Sequence, residues 1–338
     1  MYIKRNIGWG LIFRYAWKNL IFFTLYASFI FWAYHFLGGS YLKIPFQPLS
    51  VIGIAVAFYI GFKNSQSYDR FWEGRKIWGG IVNYSRTWAL QVLSLIKTDD
   101  PGYDHRMQTR LIYRQIAWIN ALRVQLRQPK PWSPKGNRML EKMFDKHGER
   151  NSSYNEAINY ISETEFTDLK KRINPATHLI KNQALDLLEL KTKGIIDGFQ
   201  EDQLQSVLEE FYNLQGMCER IKNTPFPRQY GYFSKVFTWI FLFLIPFGLL
   251  DVFEVSSLSN NLEIDQWYTF LMIPFSVLIS WIFATMESVG DNSEDPFEGR
   301  LNDVPMTALC RTIEIDLRDM LNETDLPQPI SPKDNVLY

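Results

Sequence analysis

Four stretches of the 338-residue sequence lack Asp, Glu, Lys and Arg, and they constrain the fold more than any other feature. They are Asn19 to Leu42, Ile44 to Phe62, Val236 to Leu250 and Gln266 to Met286. A bilayer core about 30 Å thick requires roughly 20 apolar residues in a helix. Three stretches reach this length, and Tyr230, Tyr232 and Phe233 extend the shorter third one toward the interface. The sequence therefore predicts four transmembrane helices rather than buried helices of a soluble protein.

Averages over the chain hide this pattern, because 36 basic and 36 acidic residues give a formal net charge of zero. The segments carry net charges of +5 (1–62), +7 (63–235), −4 (236–286) and −8 (287–338). Aromatic residues make up 16% of the chain, and such enrichment is typical of membrane interfaces. The absence of a basic excess argues against a nucleic-acid partner. Cys218 and Cys310 are interpreted as buried thiols, since two cysteines exclude a disulfide scaffold.

The positions of Lys and Arg predict the orientation in the membrane. Residues 1–18 carry four basic residues and no acid, and four basic residues follow span two within residues 63–76. The loop between spans one and two carries only Lys43, and the loop from Asp251 to Asp265 carries four acids and no base. We therefore expect both termini and the long middle region to face the cytosol. The first apolar run is too long for a signal peptide and is interpreted as a retained span.

The middle region, residues 63–235, is predicted to be a helical cytosolic region. Helical spacing of apolar residues marks residues 111–126 and 201–223, and a basic loop is expected at 129–136. A third helix is expected over 174–194, with Asn174 as its N-cap, Pro175 in its first turn and Gly194 at its end. The chain contains no HExxH, P-loop, GxSxG or GxGxxG motif. We therefore expect no enzyme activity, no cofactor and no metal site.

The second half of span two carries two stripes of residues spaced by four. Residues four apart in a helix share a face. One stripe is bulky and apolar: Ile54, Phe58 and Phe62. The other is small, which allows transmembrane helices to approach closely: Gly53, Ala57 and Gly61. Packing against symmetry copies around a pore fits this pattern, and so does packing inside a four-helix monomer; spacing alone leaves both open.

Three motifs in this chain resemble the bestrophin family, closest to its bacterial branch. They are GIAVAFYIGFKNSQSYDRFWEGRKIWGG (53–80), CERIKNTPFP (218–227) and EDPFEGRLNDVP (294–305), in the family's order and spacing. The resemblance covers nearly the whole chain. It implies an all-helical homopentameric ion channel in the bacterial inner membrane. Each subunit would have four transmembrane helices and a large cytosolic helical region, with the second helices lining an apolar neck.

The family's neck pattern falls on Ile54, Phe58 and Phe62. Phe58 looks like the anion-selective members, and the positive edge of its ring would favour chloride. The resemblance also implies a cytosolic constriction, for which Ile195, Ile196 and Phe199 are candidates. Animal members bind calcium after a motif corresponding to residues 295–297. Here Arg300 and Leu301 replace carboxylates, so no calcium site is expected and this stretch is expected to serve subunit packing.

The leading hypothesis is a passive channel that favours anions, in which each subunit contacts other copies, the lipid bilayer and permeant inorganic ions. A sodium-selective channel of the same fold is the first alternative. A membrane-anchored scaffold or regulator is a second, although scaffolding does not require the paired stripes of span two. A membrane enzyme using Glu73, His105 or Glu287 is a third, and nothing in the sequence suggests its substrate.

Overall fold

The structure, a computed structural model, describes residues 1–6, 8–37, 40–129, 159–255 and 268–338. Within these ranges the regular structure is helical, apart from two isolated β-bridges. The helices are α1 (Trp9–Phe36), α2 (Phe46–Leu95), α3 (Pro101–Arg127), α4 (Glu163–Leu169), α5 (Pro175–Thr192), α6 (Gly198–Asn223), α7 (Arg228–Val255), α8 (Met272–Ser293) and α9 (Met306–Met320). A short 3-10 helix, Ser40–Leu42, lies between α1 and α2. The predicted all-α class is confirmed for these residues, and most of the predicted loop at 129–136 lies outside them.

Four helices of the described chain are long and apolar enough to cross a membrane. The candidate spans are Ala16–Phe36, Phe46–Leu95, Arg228–Glu254 and Tyr268–Ser293, and they correspond to the four predicted spans. The last one begins four residues before α8. Helix α2 continues without interruption for 50 residues, which is about 75 Å at 1.5 Å per residue. This length is more than twice that of a bilayer core of about 30 Å, so part of α2 must lie outside the hydrocarbon.

The chain divides into two compact units. Residues 4–69 and 226–294 form the first, which we call the span unit. Residues 1–3, 70–225 and 295–338 form the second, which we call the helical body. The predicted boundaries after residues 62, 235 and 286 all fall inside helices. The two units instead meet after residues 69, 225 and 294. Lys63 and Glu287 consequently belong to the span unit.

The span unit has one apolar core. Helix α1 packs on α7 and α8, α7 packs on α8, and α2 contributes Leu49, Val56 and Ile60 to the same cluster. The Tyr26 hydroxyl donates a hydrogen bond to the Phe243 carbonyl oxygen at 2.9 Å, and the two rings meet edge to face. Aromatic side chains thus pack between α1 and α7, and the tyrosine hydroxyl finds a hydrogen-bond acceptor there.

The helical body is built around α3, which packs against α5, α6 and α9. The Trp118 ring is fully buried, stands 4.9 Å from the Phe211 ring and donates a hydrogen bond to Gln215 Oε1 at 3.0 Å. Cys218 and Cys310 are buried and form no disulfide, as expected. Burial raises the pKa of the Cys218 thiol, so it stays protonated at neutral pH.

Local signals in the sequence fix the ends of α5. Asn174 is its N-cap, with the side-chain oxygen accepting from the Thr177 N–H at 3.1 Å, and Pro175 occupies the first turn. Gly194 follows the helix with φ of +71°, in the left-handed region that glycine tolerates best. The predicted start and end of this helix are therefore confirmed.

We expect Arg114→Met to destabilise the helical body strongly. Arg114 is 2% exposed and forms ion pairs with Glu165 Oε1 at 2.8 Å and Asp186 Oδ2 at 2.5 Å. Removing one partner of a buried ion pair typically costs about 3 kcal/mol, because the other charge stays buried. Here Asp186 keeps Arg110 Nη2 at 3.1 Å, whereas Glu165 loses its paired cation and keeps a hydrogen bond from Asn182. The midpoint of thermal unfolding in detergent measures the loss.

Arg172→Met is the matched control, because Arg172 follows the end of α4 and pairs there with Asp168, and the two side chains are 42% and 52% exposed. Exposed pairs of this kind contribute at most about 0.5 kcal/mol. Equal loss of stability in the two variants would contradict the structural role assigned to Arg114.

Candidate pore-lining site

The three bulky residues of the predicted neck lie on one exposed stripe of α2. Ile54, Phe58 and Phe62 are 71%, 74% and 43% exposed. Their spacing of four residues places them on successive turns of an uninterrupted helix. Large apolar side chains this exposed in a membrane-spanning helix must meet lipid, another subunit or an ion path.

The opposite face of the same helix is packed inside the chain. Leu49, Val56 and Ile60 are 2% to 3% exposed and belong to the core of the span unit. These buried residues show which face of α2 is turned toward the rest of the span unit. Phe58 points away from the other spans, whereas Ile54 borders a groove with α7 and α8, and the Phe62 ring stands 6.1 Å from the Tyr230 ring of α7.

The small-residue stripe has two different environments. A Cβ atom on Gly53 would lie 2.8 Å from Phe241 Cζ, so this glycine allows a close approach of α7 within the chain. A Cβ atom on Gly61 would meet nothing within 4 Å, and Ala57 is exposed. The sequence left open whether this stripe packs against symmetry copies or inside the chain. Gly53 packs inside the chain, and Ala57 and Gly61 are exposed in a single chain, where contact with symmetry copies stays a prediction.

An apolar groove of about 290 Å³ runs beside this stripe in the span unit. Leu49 and Ala57 of α2 line it together with Phe241 of α7 and Phe283 of α8. Its walls offer almost no hydrogen-bonding groups, so the groove suits an apolar occupant.

Lys63 directly follows the stripe but does not share its exposure. The lysine is 2% exposed, and its Nζ lies 2.6 Å from Glu287 Oε1 and also pairs with Asp291. Ser234 Oγ donates a hydrogen bond to the second oxygen of Glu287 at 3.0 Å. From the sequence alone Lys63 was counted with the cytosolic basic residues that follow span two, and Glu287 was named only for the membrane-enzyme alternative. The only signal in the sequence was that both residues lie next to the end of a span. That position does not indicate that Lys63 and Glu287 form an ion pair.

The three candidates for the second constriction occupy different environments in the helical body. Ile196 is 2% exposed and belongs to the core, and Ile195 packs against that core. Phe199 is 87% exposed in the first turn of α6, where Asp197 and Gln200 form a capping box. The exposed Phe199 therefore fits a constriction better than the buried Ile196 or the partly buried Ile195, and the second constriction stays a prediction.

The carboxylates named for a possible membrane enzyme are held in ion pairs. Arg220 Nη2 lies 2.5 Å from Glu73 Oε1 in the helical body, and Glu287 pairs with Lys63 in the span unit. His105 is exposed. Each of the two carboxylates thus already neutralises a cation, which favours a structural role over acid–base chemistry.

The third motif, residues 294–305, is rich in buried charge. Within the helical body, Lys222 Nζ lies 2.5 Å from Glu298 Oε1, and both side chains are at most 7% exposed. Phe297 packs so closely that a Cβ atom on Gly74 would lie 3.1 Å from its ring. Among the described residues, no group of three or more His, Cys, Asp or Glu side chains could hold a metal ion.

Asp303 is the most unusual acid of this motif. It is 2% exposed, and its Oδ2 accepts a hydrogen bond from the Arg300 N–H at 2.9 Å. Burial disfavours the charged carboxylate and raises its pKa from the ordinary 3.8 to about 6. The folded state therefore binds this proton more tightly than the unfolded state between those two values.

We expect the wild-type protein to gain stability relative to Asp303→Asn as the pH falls from 7 to 5. Protonation of Asp303 in the folded state removes a buried charge. Stability then rises by about 1.4 kcal/mol for each pH unit between the folded pKa of about 6 and the unfolded pKa of 3.8. Thermal unfolding of both proteins across this range measures it. A constant difference between them from pH 7 to 5 would contradict the raised pKa.

Comparison with known proteins gives a family match over most of the chain. A family described as bacterial and fungal bestrophin proteins matches residues 7–319. The voltage-dependent anion channel-forming protein YneE of Salmonella typhi is 28% identical over 287 residues, covering 85% of this chain and 80% of that protein. The protein of the same name in Escherichia coli K12 is 29% identical over 296 residues, covering 86% and 82%.

A solved structure shares the fold. The crystal structure of a bacterial bestrophin homologue from Klebsiella pneumoniae matches with a TM-score of 0.75 at 24% sequence identity. The match covers 91% of this chain and 99% of that chain. This agreement extends over both the span unit and the helical body.

Proposed function

Because this chain belongs to the bestrophin family, we propose that it is a membrane ion channel that conducts anions passively. The observation that carries this proposal is the exposed stripe of Ile54, Phe58 and Phe62 on a membrane-spanning helix. Relatives covering most of the chain are named anion channel-forming proteins, which supports the same activity here. No covalent chemistry is required for such a function.

The proposed assembly is a homopentamer with α2 of every subunit around a common axis. In a single chain Ile54, Phe58 and Phe62 are 71%, 74% and 43% exposed, and the groove beside Ala57 is apolar. Apposed copies of α2 would turn the stripe into three stacked apolar rings. The small residues Ala57 and Gly61 would let neighbouring helices approach closely. The pentameric number itself comes from the family resemblance.

Selectivity would arise from the neck and from the charge around it. Apolar constrictions oppose hydrated ions and gate by excluding water. Aromatic rings at positions 58 and 62 would present positive edges to a partly dehydrated anion. Residues 63–235 carry a net charge of +7, which raises the local concentration of anions at a pore entrance. Phe199, exposed on α6, is the proposed residue of a second constriction.

The proposed location is the bacterial inner membrane, with both termini and the helical body in the cytosol. The basic flanks of spans one and two and the acidic loop after α7 support this orientation. Residues 1–62, 63–235, 236–286 and 287–338 remain the proposed topological segments, although helices cross each of these boundaries.

We expect replacement of Ile54, Phe58 and Phe62 together by Ala to increase single-channel conductance in planar bilayers. Removing three apolar rings would widen the neck and lower the barrier to hydrated ions. Phe29→Ala is the matched control, because Phe29 is a 59% exposed aromatic residue of α1 in the same unit. Equal conductance of the triple variant and the wild type would overturn the neck assignment.

The nature of the permeant ion is tested by reversal potentials of the purified protein in asymmetric sodium chloride. We expect the potential to follow the chloride gradient, since the aromatic neck and the +7 segment both favour anions. A potential that follows sodium would establish the cation-selective alternative. Absence of flux for either ion in liposomes would favour the scaffold alternative instead.

A further inference from the structure

A buried cation stands next to the proposed neck, one residue after Phe62. Successive residues of a helix are rotated by 100°, so Phe62 and Lys63 point in different directions from adjacent positions. Phe62 lies on the exposed stripe, whereas Lys63 is 2% exposed and faces α8. Any rotation or sliding of α2 that moves the Phe62 ring must therefore also move the Lys63 ammonium.

The ammonium group connects three helices of the span unit. Lys63 Nζ pairs with both Glu287 and Asp291, which lie one turn apart on α8. Glu287 in turn accepts a hydrogen bond from Ser234 of α7. One turn further along α2, Ser67 Oγ donates a hydrogen bond to the Gly290 carbonyl oxygen at 3.1 Å. We call Lys63, Ser67, Ser234, Glu287 and Asp291 the charge clamp.

Glycine at position 290 makes this close contact possible. A Cβ atom there would overlap Asn64 Oδ1 and lie 3.4 Å from Lys63 Cε. The side chains of Lys63 and Asn64 thus rest directly on the backbone of α8. The junction is tighter than ordinary side-chain packing, and it begins where the apolar stripe of α2 ends.

A buried ammonium group requires oppositely charged partners. Burying it without a counter-ion is strongly unfavourable, so separating Lys63 from its carboxylates would cost free energy. The same burial separates Lys63 from the surface that carries Ile54, Phe58 and Phe62. Its charge is outweighed within the subunit by the two carboxylates of Glu287 and Asp291, so the lysine does not present a net positive charge to a permeating anion.

We propose that Lys63 is a positioning residue for ion selection, which fixes the rotation and height of the neck segment of α2 through the charge clamp. This inference rests on the proposed channel function. It assigns Lys63 an effect on selectivity that acts through the placement of Phe58 and Phe62, not through an electric field in the ion path.

The test compares Lys63→Met with the wild type and with Lys235→Met. Lys235 is an exposed lysine of α7 in the same unit, so its replacement removes the same formal charge outside the clamp. Purified proteins are reconstituted in planar bilayers, and the chloride to sodium permeability ratio is taken from reversal potentials. Assembly is measured in parallel by the mass of the detergent-solubilised oligomer.

We expect Lys63→Met to keep the oligomer but change the permeability ratio by about threefold or more, equal to ~0.65 kcal/mol in relative barrier height. Lys235→Met should leave the ratio near the wild-type value. An unchanged ratio in Lys63→Met would overturn the inference. An equal change in both variants would also overturn it, because the lysines would then act as field charges.

Charge exchange provides the rescue. In Lys63→Glu with Glu287→Lys, the new lysine still faces a carboxylate on α2 and has Asp291 four residues away on its own helix. We expect the double variant to recover most of the wild-type ratio, while Lys63→Glu alone does not. Failure of the exchange to recover the ratio would contradict a clamp made by these charges.

If Lys63→Met does not assemble, Glu287→Gln provides the milder test, because it keeps the shape of the side chain and an acceptor for Ser234. A smaller change in the ratio is expected, since Asp291 still pairs with Lys63. An unchanged ratio in Glu287→Gln would overturn the inference. A wild-type protein that conducts no ions would instead overturn the proposed function, and the inference with it.

Discussion

The organisation of the span unit depends on the cost of leaving a polar group unsatisfied in hydrocarbon. Helix α2 meets this constraint for its backbone by running without interruption through the apolar region and beyond it. Lys63 meets it by pairing with Glu287 and Asp291, and Glu287 is satisfied further by Ser234. These pairs lie on the same inward face of α2 as the buried residues Leu49, Val56 and Ile60, so polar and apolar contacts turn the same face of the helix inward.

The sequence predicted those elements of the fold that depend on local chemistry. Four apolar stretches became four helices, and the Asn174 cap with Pro175 and Gly194 marked both ends of α5. Such signals act between residues close in the chain, so a single sequence contains them. The end of span two was less visible, because the residues after Phe62 carry charge but no proline. Helix α2 continues to Leu95 through Gly74, Gly79 and Gly80.

The side-chain environments of the candidate site were harder to predict, because each depends on a helix distant in sequence. In the sequence, Lys63 resembles the other basic residues that follow span two. Its burial is explained by its pairing with Glu287, which lies 224 residues later in the chain. Gly53 and Gly61 belong to the same small-residue stripe, yet of the two only Gly53 packs against Phe241. Ile196 and Phe199 are both apolar candidates, but one completes the core and the other stays exposed.

The burial of both cysteines has a practical consequence. Cys218 and Cys310 are at most 3% exposed, and thiol reagents attack the exposed thiolate form of cysteine. The unmodified chain should therefore react slowly with such reagents while it is folded. A single cysteine placed at any position of α2 would give a labelling signal that belongs to that position alone. The neck face, the groove and the lipid-facing surface can thus be mapped residue by residue without first removing the native thiols.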